Sequence, residues 1–94
     1  MRKYELVCVI QPDLDETAFN GVVEKVKGWI SDSGGSIDKV DIWGRRKLAY
    51  IIKKHREGQY VLFNMTMNPS TTSDLERNLR YQEPIIRHML SVAI

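Results

Sequence analysis

The chain has one cysteine, two histidines, three prolines and no apolar run longer than five residues in its 94 positions. With Cys8 alone, no internal disulfide is possible. Cys8 lies within the apolar run Leu6–Ile10, where cysteine behaves as a small hydrophobe. That run is far shorter than the roughly 20 residues a membrane helix needs. It does not read as a signal peptide either. Glu5 precedes it, Pro12 and Asp13 follow it, and no small-residue cleavage site appears. These features fit a cytoplasmic protein. Glycine-rich phosphate loops and Cys-x-x-Cys pairs are missing. His55 and His88 stand far apart, whereas zinc needs three or four clustered ligands. No metal, cofactor or nucleophile–base pair is therefore expected.

Two weaker patterns have plainer explanations. Asp13, Asp15, Thr17 and Glu24 echo a calcium loop, but Ala18 stands where that loop needs glycine. Carboxylates here suit a helix start, where they favour the dipole. Asn64-Met65-Thr66 matches the glycosylation sequon, but it falls mid-strand in a chain with no secretion signal.

What the chain does have is charge in one place. Gly44–Arg56 holds six of the fourteen basic residues, namely Arg45, Arg46, Lys47, Lys53, Lys54 and Arg56, and no acid. The remaining eight basic residues face twelve acidic ones, a balance of −4, although the whole chain is +2. A local basic patch suits a polyanion such as a phosphate backbone. It equally suits a solvated hairpin whose lysines and arginines guard a strand edge.

The length fits one domain, residues 1–94, with a single core between a sheet face and two helices. At 43% apolar and 28% charged, the composition is that of a globular protein. Lys3–Ile10 alternates as a strand, with Tyr4, Leu6, Cys8 and Ile10 on one face and Lys3, Glu5, Val7 and Val9 on the other. Asp15–Ser33 is an amphipathic helix with the stripe Phe19, Val22, Val26, Trp29 and Ile30. Asp13 or Asp15 caps its start, and Gly34 or Gly35 stops it.

Ile37–Lys53 is strand-like but too long to be uniform, and Gly44 marks a bulge or bend. Arg56-Glu57-Gly58 is the expected turn, followed by a strand over Gln59–Met67. A short helix spans about Ser70–Arg80, with Leu75 and Leu79 inward, capping-box spacing at Ser73 and Glu76, and Ser70 or Thr71 as an earlier cap. After Glu83-Pro84 the last strand runs Ile85–Ile94, with the Leu90 and Val92 face expected inside.

The order βαββαβ is the split βαβ, or ferredoxin-like, arrangement, of class α+β. Right-handed crossovers place both helices on one face of a four-stranded antiparallel sheet. Val7, Val9, Tyr60 and Leu62 then line the open face, a possible docking surface. Trp43, just before the bend, reads as core or a hairpin pin, or as a ring that stacks on a base or packs on a partner, and Tyr50 has the same two readings. Arg77 and Arg80 read as solvated helix ends. Arg87, mid-strand among apolar residues, needs an acid, an open face or a partner.

Several segments together resemble the bacterial small-subunit ribosomal protein S-six family. They are the opening Met-Arg-Lys-Tyr-Glu-Leu, the turn Pro12-Asp13-Leu14, the stretch Trp43–Tyr50 and the closing Glu83–Met89. They cover essentially the whole chain in the right order. The resemblance implies a ferredoxin-like fold, no catalytic residue, no cofactor and no small-molecule substrate. It implies binding to the central domain of 16S rRNA together with ribosomal protein S-eighteen, in the cytoplasm and within the small subunit. Carried over residue by residue, it puts Arg2, Lys3, Arg45, Arg46, Lys47, Lys53, Lys54 and Arg56 against RNA. Trp43, Leu48, Tyr50, Arg80 and Arg87 are the candidates for the partner surface. Many members carry a polar or acidic C-terminal extension, whereas this sequence ends at Ile94, so the carry-over includes no tail contact.

Three other functions suit the fold. A stand-alone RNA-recognition module would read bases with aromatics on the open sheet, but the aromatic-rich Lys/Arg-Gly-Phe/Tyr signature is missing. An acylphosphatase-like enzyme would need an anion-cradling first turn, and here that turn is the acidic Gln11-Pro12-Asp13-Leu14-Asp15. A regulatory dimerisation module would pair its sheet with a second copy.

Overall fold

The computed structural model describes residues 1–93. The elements are β1 (Arg2–Ile10), α1 (Glu16–Asp32), β2 (Ser36–Ile52), β3 (His55–Met67), a 3-10 turn (Pro69–Thr71), α2 (Thr72–Arg80) and β4 (Ile85–Val92). The strands form one antiparallel sheet in the order β2-β3-β1-β4. This is the expected ferredoxin-like arrangement.

Alternation decides which face is covered. Tyr4, Leu6, Cys8 and Ile10 of β1 and Val61, Phe63, Met65 and Met67 of β3 are buried together with Phe19, Val23, Val26 and Ile30 of α1 and Leu75 and Leu79 of α2. Both helices therefore pack on one sheet face. Val23 replaces Val22 at the centre of the α1 stripe, and Val22 and Trp29 are only half-buried flanks. Asp15 Oδ1 accepts from the Ala18 N–H at 2.8 Å and caps α1. The helix ends at Asp32, before Gly34 with its φ of 84°. The capping box at Ser73 and Glu76 does not start α2; its N-cap position is Thr71, one of the two earlier candidates, without a side-chain cap hydrogen bond. Asn68 Oδ1 instead accepts from the Ser70 N–H at 3.1 Å, and the 3-10 turn leads into the helix.

Three further expectations need correction. The hairpin turn is not at Arg56-Glu57-Gly58. It is the two-residue loop Lys53-Lys54, with φ values of 49° and 71°, and β3 begins at His55. Positive φ at both central residues is the type I′ pattern, whose twist matches the flanking strands.

Gly58 has a different role. An added Cβ there would lie 2.3 Å from Val9 Cγ1, so the glycine lets the backbone approach that side chain. Val9 was expected on the open face, yet it is only 1% exposed, because this approach and Leu48 nearby close over it. Finally, Val92 is 51% exposed rather than inside, and Leu90 only half-buried against the core. β4 is an edge strand, and Ser91 and Val92 at its end are exposed. Ile94 lies outside the described residues.

Gly44 is a bulge, as its spacing suggested. The β2–β3 register shifts between Ile42 and Gly44, and Gly44 has a φ of 87°. A larger irregularity follows. Lys47 pairs with Glu57 and Ile52 with His55, so Leu48–Ile51 stand against Arg56 alone. The extra residues belong to the hairpin end, and they give it its reach.

Candidate nucleic-acid interface

The hairpin end carries most of the cationic candidates, and all eight of them are exposed. Their settings differ. Arg45 lies 3.5 Å from Glu57 and also donates to the Pro12 carbonyl, so it ties the hairpin to the β1–α1 loop. Arg46 lies over the Trp43 ring, 5.1 Å from its centre. Lys47 and Arg56 border a cleft of about 430 Å³ whose other walls include Leu48, Ala49, Tyr50 and Ile51. Lys54 and Arg56 border a second cleft with Arg45 and Pro12. Arg2 and Lys3 pair with Met67 and Thr66, whereas Ile10 pairs with Gln59 near the hairpin end. At about 3.3 Å per residue, the length of β1 puts those two cations roughly 25 Å from the rest.

The partner candidates divide as well. Trp43 stacks on Tyr60 with ring centres 6.3 Å apart and planes at 13°. Its Nε1 donates to Asp41 at 3.3 Å. Although 38% exposed, the indole already has Tyr60 and Arg46 against it, which supports the hairpin-pin reading over base stacking. Leu48 is half-buried near Gly58. Tyr50 is 60% exposed, and Arg87 lies 5.8 Å from its ring centre and donates to its hydroxyl. This answers what Arg87 needs on the sheet: a phenol, not an acid. Arg80 lies elsewhere, at the end of α2, in a third cleft with Lys53 and Arg87.

Sequence reasoning missed Ile51, which is 58% exposed beside Tyr50. Its signal was indistinct, because an apolar residue in a strand-like run reads as core until the bulge turns it outward. Cys8 is buried, and burial pushes its thiol up to about 12. It is no nucleophile at neutral pH. Among the described residues, no group of three His, Cys, Asp or Glu side chains is placed to hold a metal.

The sequence model of the family described as Ribosomal protein S6 matches residues 3–91. The chain belongs to the ribosomal protein S6 family. It is 49% identical over 90 residues to the small ribosomal subunit protein bS6 of Clostridium botulinum strain Loch Maree, covering 96% of each chain. The bS6 protein of Clostridium perfringens strain SM101 is 48% identical over 90 residues, covering 96% of this chain and 95% of that one. The crystal structure of 30S ribosomal protein S6 from Thermotoga maritima superposes with a TM-score of 0.93 at 35% identity, covering 98% of this chain and 87% of that one. The S6 match thus takes in every element of the sheet and both helices. In this S6-family chain the twisted, bulged hairpin end is where exposed cations and exposed apolar side chains meet.

Proposed function

We propose that the chain is a structural protein of the small ribosomal subunit that binds the central domain of 16S rRNA together with ribosomal protein S-eighteen, and that it catalyses nothing. The observation that carries this reading is S6 family membership over residues 3–91, in a chain whose exposed cations concentrate on one hairpin. Lysines and arginines there hold phosphates, and phosphate contacts orient a protein on RNA without reading sequence. The cleft walled by Leu48, Ala49, Tyr50 and Ile51 offers the apolar surface that a protein partner would cover. As a small-subunit component, the protein works in the cytoplasm.

Two measurements test the reading. Co-purification from native lysate at moderate salt should recover the chain in the small subunit. Calorimetric titration should give a complex with S-eighteen, and the pair should bind a central-domain rRNA fragment more tightly than the chain alone. A free chain that self-associates and ignores both ligands would instead support a dimerisation module. Tight, specific rRNA binding by the chain alone would remove the cooperative part.

A further inference from the structure

We propose that the cleft between the hairpin end, the end of α2 and the start of β4 is a subsite for one RNA backbone phosphate, held by Lys53, Arg80 and Arg87. The identity of the ligand rests on the RNA-binding reading above. The site itself rests on geometry.

The cleft measures about 250 Å³ and is lined by Lys53, Leu79, Arg80, Ile85, Ile86, Arg87 and His88. Leu79, Ile85 and Ile86 are buried and form an apolar floor. The three cations are exposed and come from three different elements. Charges beside a low-dielectric wall act more strongly on an anion than the same charges in open water.

The cations lack counter-ions. The ion pairs among the described residues are Lys27–Glu24, Arg45–Glu57, Arg77–Asp74 and His88–Glu76. None involves Lys53, Arg80 or Arg87. The one other polar group at the rim, His88, already has Glu76 at 3.5 Å. Three like charges brought together without an acid repel one another, so their convergence calls for an anion.

The helix end opposes an anion less than a bare C-terminus would. A helix C-terminus is normally unfavourable to anions because its carbonyls are unpaired. Here the Tyr81 N–H donates to the Arg77 carbonyl at 3.3 Å and the Gln82 N–H to the Leu79 carbonyl at 3.2 Å.

Two features place the cations. Arg87 is steered by Tyr50, which takes one N–H and leaves the rest of the guanidinium fork for a phosphate. Lys53 sits at a φ of 49°, where glycine or asparagine is the usual choice. A lysine held in that conformation keeps a positive charge at the tip against backbone preference. The next residue, Lys54, borders a separate cleft that also holds the acids Asp13 and Glu57.

The test uses the full chain with S-eighteen and a central-domain rRNA fragment, read as the slope of log affinity against log salt. Lys53→Gly keeps the turn and Arg80→Gln leaves the Tyr50–Arg87 contact in place. Because all three residues share one phosphate, the triple variant that adds Arg87→Gln should lose about 0.7–0.9 of a unit of slope, and the double variant less than that, since Arg87 still holds the phosphate. Arg77→Gln, the same charge change one turn earlier, should leave the slope unchanged. A triple variant with the wild-type slope overturns the subsite, and a loss of about two units or more overturns the shared phosphate.

A second arm needs no RNA. Inorganic phosphate should move the side-chain NMR signals of Arg80 and Arg87 saturably, chloride at equal ionic strength should not, and Lys53→Gly should weaken the response. No response in either arm overturns the anion site. A response to phosphate in a wild-type chain that binds no rRNA overturns the RNA source, and the RNA-binding reading with it, leaving a site for free phosphate.

Discussion

Arg87 on the edge strand and Tyr50 on the hairpin are 37 residues apart, yet the guanidinium donates to the phenol hydroxyl and lies 5.8 Å from the ring centre. β2 and β4 are the two outer strands of the sheet, so this contact spans its full width. It is possible because Leu48–Ile51 bulge out of the β2–β3 ladder.

The contact should therefore contribute modestly to stability. Tyr50→Phe keeps the ring and should cost about 0.5–1 kcal/mol in urea unfolding, the size of an exposed hydrogen bond. A double-mutant cycle of Tyr50→Leu with Arg87→Met should show a coupling of about 1 kcal/mol. Additive losses would mean that Leu48 packing alone holds the hairpin end in place.

Gly58→Ala should be the costliest glycine change on this hairpin. The new Cβ meets Val9 Cγ1, which belongs to a stiff, β-branched and fully buried side chain. Overpacking of this kind costs about 1–3 kcal/mol. At about 4–8 °C per kcal/mol for a domain of this size, calorimetry will resolve the fall in Tm. Val9→Ala combined with Gly58→Ala should recover part of the loss. Gly44→Ala has open space around it and pays only for its φ of 87°, about 1 kcal/mol.

The cationic candidates should not contribute equally to RNA binding. Replacing Lys47, Lys54 and Arg56 together with alanine should lower the salt slope by about 2–3 units. Arg45→Ala should lower it by less than about one unit, because Glu57 and the Pro12 carbonyl already hold that side chain. Equal effects from Arg45 and the other three in filter binding would show that Arg45 leaves its internal partners on RNA.

Cys8 should be silent until the protein unfolds. Burial raises its thiol from 9.0 to about 12. A raised thiol value means that the unfolded chain releases the proton first. The stability tied to this group is thus intact below about pH 9 and falls as pH rises toward 12. Thiol labelling at pH 8 should run at the rate of opening and accelerate only in denaturant. Rapid labelling of the native chain would contradict the burial. Cys8→Ser, which buries a hydroxyl, should cost about 1–3 kcal/mol.

Much of the fold could be read in advance because its signals are local. Alternation in Lys3–Ile10 and Gln59–Met67, the stripe from Phe19 to Ile30, and the prolines at positions 12, 69 and 84 each act over a few residues. The turn was misread for the same reason. Arg56-Glu57-Gly58 has a glycine and Lys53-Lys54 has none, so local preference pointed to the wrong place. Gly58 was reserved for a contact with Val9, on a strand far away in sequence.

The same division runs through the candidate site. The sequence alone determined the family, the order of elements and the concentration of positive charge in Gly44–Arg56, because these are properties of residue identity and spacing. Only the tertiary structure decided which charges work together. It separated Arg2 and Lys3 from the hairpin, tied Arg45 to Glu57, and brought Lys53 to Arg80 and Arg87 from distant parts of the chain. Those choices follow from strand order, from a bulge that lengthens one hairpin and from a two-residue turn with φ above zero. Each depends on pairing partners remote in sequence, and no pattern within a single segment encodes them.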